Sequence, residues 1–128
     1  MTGPKIHRLG DLQLQIMKVL WERGDASVAE VYEALAGERD LAYTTVATML
    51  RKMEARGLLK HRQEGRSFLY RAVIPAEAVS RGMSDHLLDR LFEGSLADMV
   101  RHLLTTREVS GEELSKLEEL IAERKKAR

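Results

Sequence analysis

Thr45, Thr48 and Lys52 stand at i, i+3 and i+7 of a segment whose other positions include Val46, Met49, Leu50 and Met53. On a helix that spacing gathers two hydroxyls and a cation into one stripe, opposite an apolar stripe that must pack inward. Threonine brings a hydroxyl and a methyl to a base edge, the methyl suiting that of thymine, and small side chains let the backbone come close. Tyr43, Thr44 and Ala47 lie on the same outward side, and Arg51 and Lys52 further along are placed for phosphates. A basic stretch follows at once, with Lys60 and Arg62 flanking a Gly65-Arg66 turn. Arg66, at its tip, is best placed to enter a minor groove or clamp a phosphate. Between Arg51 and Arg71 seven basic side chains (Arg51, Lys52, Arg56, Lys60, Arg62, Arg66, Arg71) meet two acidic ones, Glu54 and Glu64, in a chain whose net charge is only +1. Counterion release acts where the phosphates are, so this local excess outweighs the balance of the whole chain. The chemistry predicted here is contact with double-stranded DNA, through Tyr43, Thr44, Thr45, Ala47, Thr48, Arg51, Lys52, Lys60, Arg62 and Arg66.

Other chemistries find little footing. The four histidines, His7, His61, His86 and His102, have no ligand spacing and no partner acids, so solvated or capping roles are expected in place of metal binding. The absence of cysteine excludes disulfides, thiol catalysis and thiolate sensing. Neither a phosphate-binding loop nor a nucleophile–histidine constellation is present, so no enzyme and no cofactor is predicted. The six methionines sit mostly on core faces. No run of about 18 apolar residues occurs and the first residues lack the apolar core of a signal peptide, which predicts a cytoplasmic protein without a membrane partner.

The elements that would position these residues can be read from periodicity. A first helix is predicted over Asp11–Arg23, with Leu12, Ile16, Val19 and Leu20 inward and Gly24 as its stop. Ser27 and Glu30 form a capping box, so a second helix should run from Val28 to about Ala36. The DNA-facing helix should cover Tyr43–Arg56 and end at Gly57. Two strands, Leu58–Glu64 and Ser67–Val73, are expected to meet at Gly65-Arg66, with Phe68 and Tyr70 on one face of the second. Together these make a winged helix-turn-helix: mainly α, with a small β-hairpin wing.

Pro75 marks a boundary, giving a DNA-binding domain over 1–74 and a helical dimerisation domain over 75–128. Charge divides there too, +3 over residues 1–75 and −2 over 76–128. Helices are predicted at about Ala76–Phe92, Leu96–Thr106 and Gly111–Arg124, with Ser95 and Ser110 as caps and the tail Arg124–Arg128 frayed. Their apolar stripes are Val79, Met83, Leu87 and Leu91; Leu96, Met99, Val100, Leu103 and Leu104; and Leu114, Leu117, Leu120 and Ile121. Stripes so dense, on helices too short to make a compact domain, call for a partner surface, and a two-fold homodimer is the commonest solution.

The segments LGDLQLQIMKVLW (9–21), SVAEVYEAL (27–35), LAYTTVATMLRKMEARGLL (41–59) and GRSFLYRA (65–72) resemble the penicillinase-repressor family of bacterial transcriptional regulators, the BlaI/MecI type. Beyond residue 75 the similarity is one of helical pattern only. The resemblance implies a winged-helix homodimer, joined through its C-terminal helices, that binds an inverted-repeat operator. It further implies repression of β-lactam-resistance or stress genes, and a signalling protease as a partner, since some members are cleaved in the C-terminal region. Those members carry an Asn-Phe bond in the helix that aligns with Met99–Leu104; the matching pair here is His102-Leu103. Copper-responsive relatives carry cysteines that this chain lacks. The residues alone also allow a winged-helix module for protein contacts or non-specific DNA binding, which a shallow salt slope and no preferred site would reveal.

Overall fold

The computed structural model describes residues 9–127; His7 and Arg128, named above, lie outside the described residues. The element order is α1 (Asp11–Arg23), β1 (Ala26–Ser27), α2 (Val28–Ala36), α3 (Tyr43–Ala55), β2 (Leu59–Glu64), β3 (Ser67–Ala72), α4 (Ala76–Phe92), α5 (Leu96–Thr106) and α6 (Gly111–Lys126). Among the described residues no helix is long and apolar enough to cross a membrane.

The chain forms two compact units, the first ending at His86 and the second starting at Leu87, within α4. In the first, Ile16, Met17 and Leu20 of α1, Val31 and Leu35 of α2, and Val46, Leu50 and Met53 of α3 bury together with Leu58, Leu59 and Tyr70. Such packing matters most for α3, whose opening Tyr43, Thr44, Thr45 and Val46 are poor helix formers. The capping box of α2 forms as expected: the Ser27 hydroxyl accepts from the Glu30 amide at 3.1 Å, and the Ser27 amide donates to Glu30 Oε1 at 2.8 Å. Hydrogen bonding to Ser27, from its amide first and then its side chain, holds the Glu30 carboxyl below the usual carboxylate range.

The sheet has three antiparallel strands in the order β1-β3-β2. Strand β1 was not expected. It is only two residues long, pairs Ala26 with Tyr70 and Ser27 with Leu69, and ends on the residue that caps α2, so no alternation could announce it. The hairpin turns at Gly65, whose φ of 63° suits the first position of a two-residue turn.

Two corrections concern α4 and α6. Val79, assigned above to the dimer interface, is 2% exposed and belongs to the core of the first unit, and Met83 packs against that core. The apolar stripe of α4 therefore changes employment along its length, and the first unit continues past Pro75. Helix α6 also runs on through Lys126, where a frayed tail was expected: Arg124, Lys125 and Lys126 complement the negative end of the helix dipole.

The second unit is helical and almost coreless. Neither α5 nor α6 has a buried residue. Ser95 and Ser110 cap them, accepting from the amides of Asp98 and Glu113 at 3.1 Å each. Helix α4 stops through positive φ at Glu93 (49°) and Gly94 (82°), the Gly94 amide donating to the Leu88 carbonyl at 3.1 Å.

Candidate nucleic-acid interface

Helix α3 separates its faces as the sequence predicts. Val46, Leu50 and Met53 are fully buried, while Tyr43, Thr44, Thr45, Arg51 and Lys52 are exposed and Ala47 and Thr48 half-buried. No side chain caps its first turn, which leaves opening amides for solvent or an anion. Tyr43 sets its ring edge-on to Tyr32 of α2, centroids 5.7 Å apart, so its direction is fixed by packing. The Thr48 hydroxyl accepts from Arg51 Nη2 at 3.3 Å, one turn along the same face.

The hairpin follows from the C-terminus of α3 through a tight connection. The Gly57 amide donates to the Glu54 carbonyl at 2.9 Å and the Leu58 amide to the Met53 carbonyl at 3.0 Å, with Gly57 at φ 83°. Buried Leu58, Leu59 and Tyr70 anchor the base of the wing, while Gly65 and Arg66 at its far end are exposed. Burial, with the nearby Glu54 charge adding to it, pushes the Tyr70 hydroxyl above its ordinary value. Arg66 and Lys60 thus lie exposed on the hairpin, Arg66 at its tip and Lys60 on the face opposite His61.

Arg62 is paired within the chain. Its Nε and Nη2 donate to Asp25 Oδ2 at 3.1 and 2.9 Å, and its Nη1 pairs with Glu64. Those carboxylates, Glu64 first, raise the guanidinium's pKa further. The side chain ties the wing to the turn before β1 and is engaged by two carboxylates, which sets it apart from Arg66 among the expected wing contacts. The register shows a cation that the candidate set lacked: Lys60 lies directly opposite Arg71, both exposed, on one face of the hairpin. Like charges directly opposed cost stability unless an anion comes between them. Strand alternation carried that signal once the turn was placed at Gly65-Arg66.

In the second unit, Leu87, Leu91, Leu96, Val100, Leu103, Leu104, Leu114, Leu120 and Ile121 are exposed, with Met99 and Leu117 half-buried. Leu96, Val100 and Leu104 of α5 face Leu114, Leu117 and Ile121 of α6 across a groove of about 770 Å³. Exposed apolar surface of this kind is common at sites of association.

Residues 9–123 match the family model of the penicillinase repressor. The penicillinase repressor of Bacillus licheniformis is 32% identical over 121 residues, 94% of each chain. The transcriptional regulator BlaI of Mycobacterium tuberculosis is 34% identical over 121 residues, 93% of this chain and 86% of its own. Among solved structures, the DNA-binding domain of the repressor BlaI superposes with a TM-score of 0.51 at 33% identity, covering 57% of this chain and 89% of that one. The B. licheniformis BlaI monomeric form in complex with the blaP half-operator does so with a TM-score of 0.50 at 33% identity, over the same shares of the two chains. With the model match spanning both units, and an outward α3 face beside a basic wing, this chain belongs to the penicillinase-repressor family.

Proposed function

We propose that the protein is a cytoplasmic transcriptional repressor that binds an inverted-repeat operator as a homodimer, laying α3 in the major groove and the wing beside it. The observation that carries this reading is the division of α3: three core side chains on one face, and Thr45, Thr48, Arg51 and Lys52 presented together on the other. Family membership supplies the frame, and the similar BlaI fold bound to a half-operator supports the docking. The homodimer is assigned to the second unit, whose α5–α6 groove would be filled by apolar side chains of a second copy. Opening that unit would release the operator without touching the DNA-reading face. His102-Leu103 lies in α5 with both residues exposed, and the signal that acts there, including any protease, is part of this proposal.

The test is selection of DNA sites from a random pool with the full chain. The expected result is a two-fold symmetric motif whose half-sites lie about one helical turn apart, bound with a steep salt dependence. A pool that enriches no motif, or binding equal for selected and scrambled duplexes, would overturn the sequence-specific reading in favour of a non-specific module.

A further inference from the structure

His61 ties the wing to α3. Its Nδ1 lies 2.7 Å from both carboxylate oxygens of Glu54, the penultimate residue of α3. Its ring stacks on Phe68, centroids 4.3 Å apart and planes 26° apart, and leans on Tyr70 at 5.4 Å. The register explains the grouping: His61 pairs directly with Tyr70 and Phe68 lies diagonally beyond, so all three share the hairpin face turned to α3. Phe68 remains 44% exposed, so it is the stack more than burial that holds it. One residue on, Arg62 points to the opposite face and meets Asp25.

Resting on the DNA-binding reading above, we infer that the Glu54–His61–Phe68 cluster positions the wing, fixing its angle on the recognition helix so that Arg66 meets the DNA backbone in register with α3. The lever is long enough to matter. Gly65 lies four residues beyond His61, about 13 Å of extended chain, so a swing of about 15° at His61 carries the tip roughly 3 Å. That displacement breaks a hydrogen bond, whose donor and acceptor must approach to about 3 Å. His61 and Glu54 are thus positioning residues that act through Arg66, and their own side chains need not touch DNA.

The chain has no cysteine, so a single pair of spin labels can be placed at Ala34→Cys on α2 and Ser67→Cys on the wing. Pulsed electron resonance on the full chain, diluted with excess unlabelled chain, then reads the wing's position without DNA. A narrow distance distribution is expected, broadened by His61→Ala and by Glu54→Gln, with His61→Gln restoring part of the narrowing. Glu54→Gln lies outside the buried core and keeps the test open should His61→Ala fail to fold. Affinity is measured on a duplex carrying the site selected with the unmutated chain. Arg66→Ala should weaken binding about fivefold in the parent and by less than about twofold in the His61→Ala background, because coupled residues are not additive. An unchanged distance distribution in both variants, or a full Arg66 effect in the His61→Ala background, would overturn the inference. Should the parent select no site, the docking reading falls on that result, while the label distances still decide whether the cluster holds the wing.

Discussion

The Thr48 hydroxyl accepts from Arg51, so the two side chains form one combined polar surface, which the proposed docking turns toward a base edge. Thr48→Ala should change preference at one or two operator positions by about 1–3 kcal/mol. Parallel selection with the variant checks this; an equal loss for every sequence, or none, would remove Thr48 from base reading. Arg66 and Arg62 make a sharper pair, because sequence alone treats them alike. Arg66→Ala should weaken binding and make the salt slope shallower by about one unit, as expected for a single phosphate contact. Arg62→Ala should leave that slope almost unchanged, since its guanidinium is engaged by Asp25 and Glu64. Measuring affinity against salt for both variants decides; a full unit lost with Arg62 would put it in the interface beside Arg66. Such differences were illegible in the sequence for a plain reason. Asp25 is 37 residues from Arg62, and periodicity reports which face a residue occupies without saying what stands across from it.

Elements were legible wherever one physical signal governed them. The α3 stripe, the Ser27–Glu30 box, the caps at Ser95 and Ser110 and the glycine turn of the wing each rest on local chemistry, and each stands as read. Strand β1 failed that condition, since two residues have no period and their pairing depends on a hairpin more than 40 residues on. The capping box gives α2 an acid-sensitive start. Because the folded Glu30 carboxyl titrates below its ordinary value of 4.5, its contribution to stability is fully present above that value and fades as pH falls through the depressed one. Glu30→Gln should therefore be less stable than the parent near neutral pH, with the gap closing on acidification. Thermal melts of both proteins from neutral to acid pH test this; a gap that is constant with pH would assign the effect to the amide's geometry and not to the charge.

At the scale of the molecule, the sequence divides the chain at Pro75, and the structure carries the first unit on to His86. Proline announces where a helix can begin; it cannot say to which core that helix's first turns belong. Val79 is sequestered with the α1–α3 core, and the Trp21 indole donates to the Ile74 carbonyl at 2.8 Å, so the chain past Val73 completes the DNA-binding unit. Two truncations follow from this. A chain ending at Val73 loses the buried Val79 side chain, worth about 1.5–3 kcal/mol, and strands the Trp21 donor, so it should melt well below the intact protein. A chain ending at His86 keeps both and should retain the melting temperature of the first unit. It discards the exposed leucines of α5 and α6, and so should be monomeric by sedimentation. As a monomer it reads one half-site, and it forfeits the gain from linked binding of two, which can reach about 10²–10⁴ in affinity. Equal stability of the two truncations would move the boundary back to Pro75. If residues 1–86 dimerise, or hold the full operator as tightly as the intact chain, the second unit is not what joins the two copies.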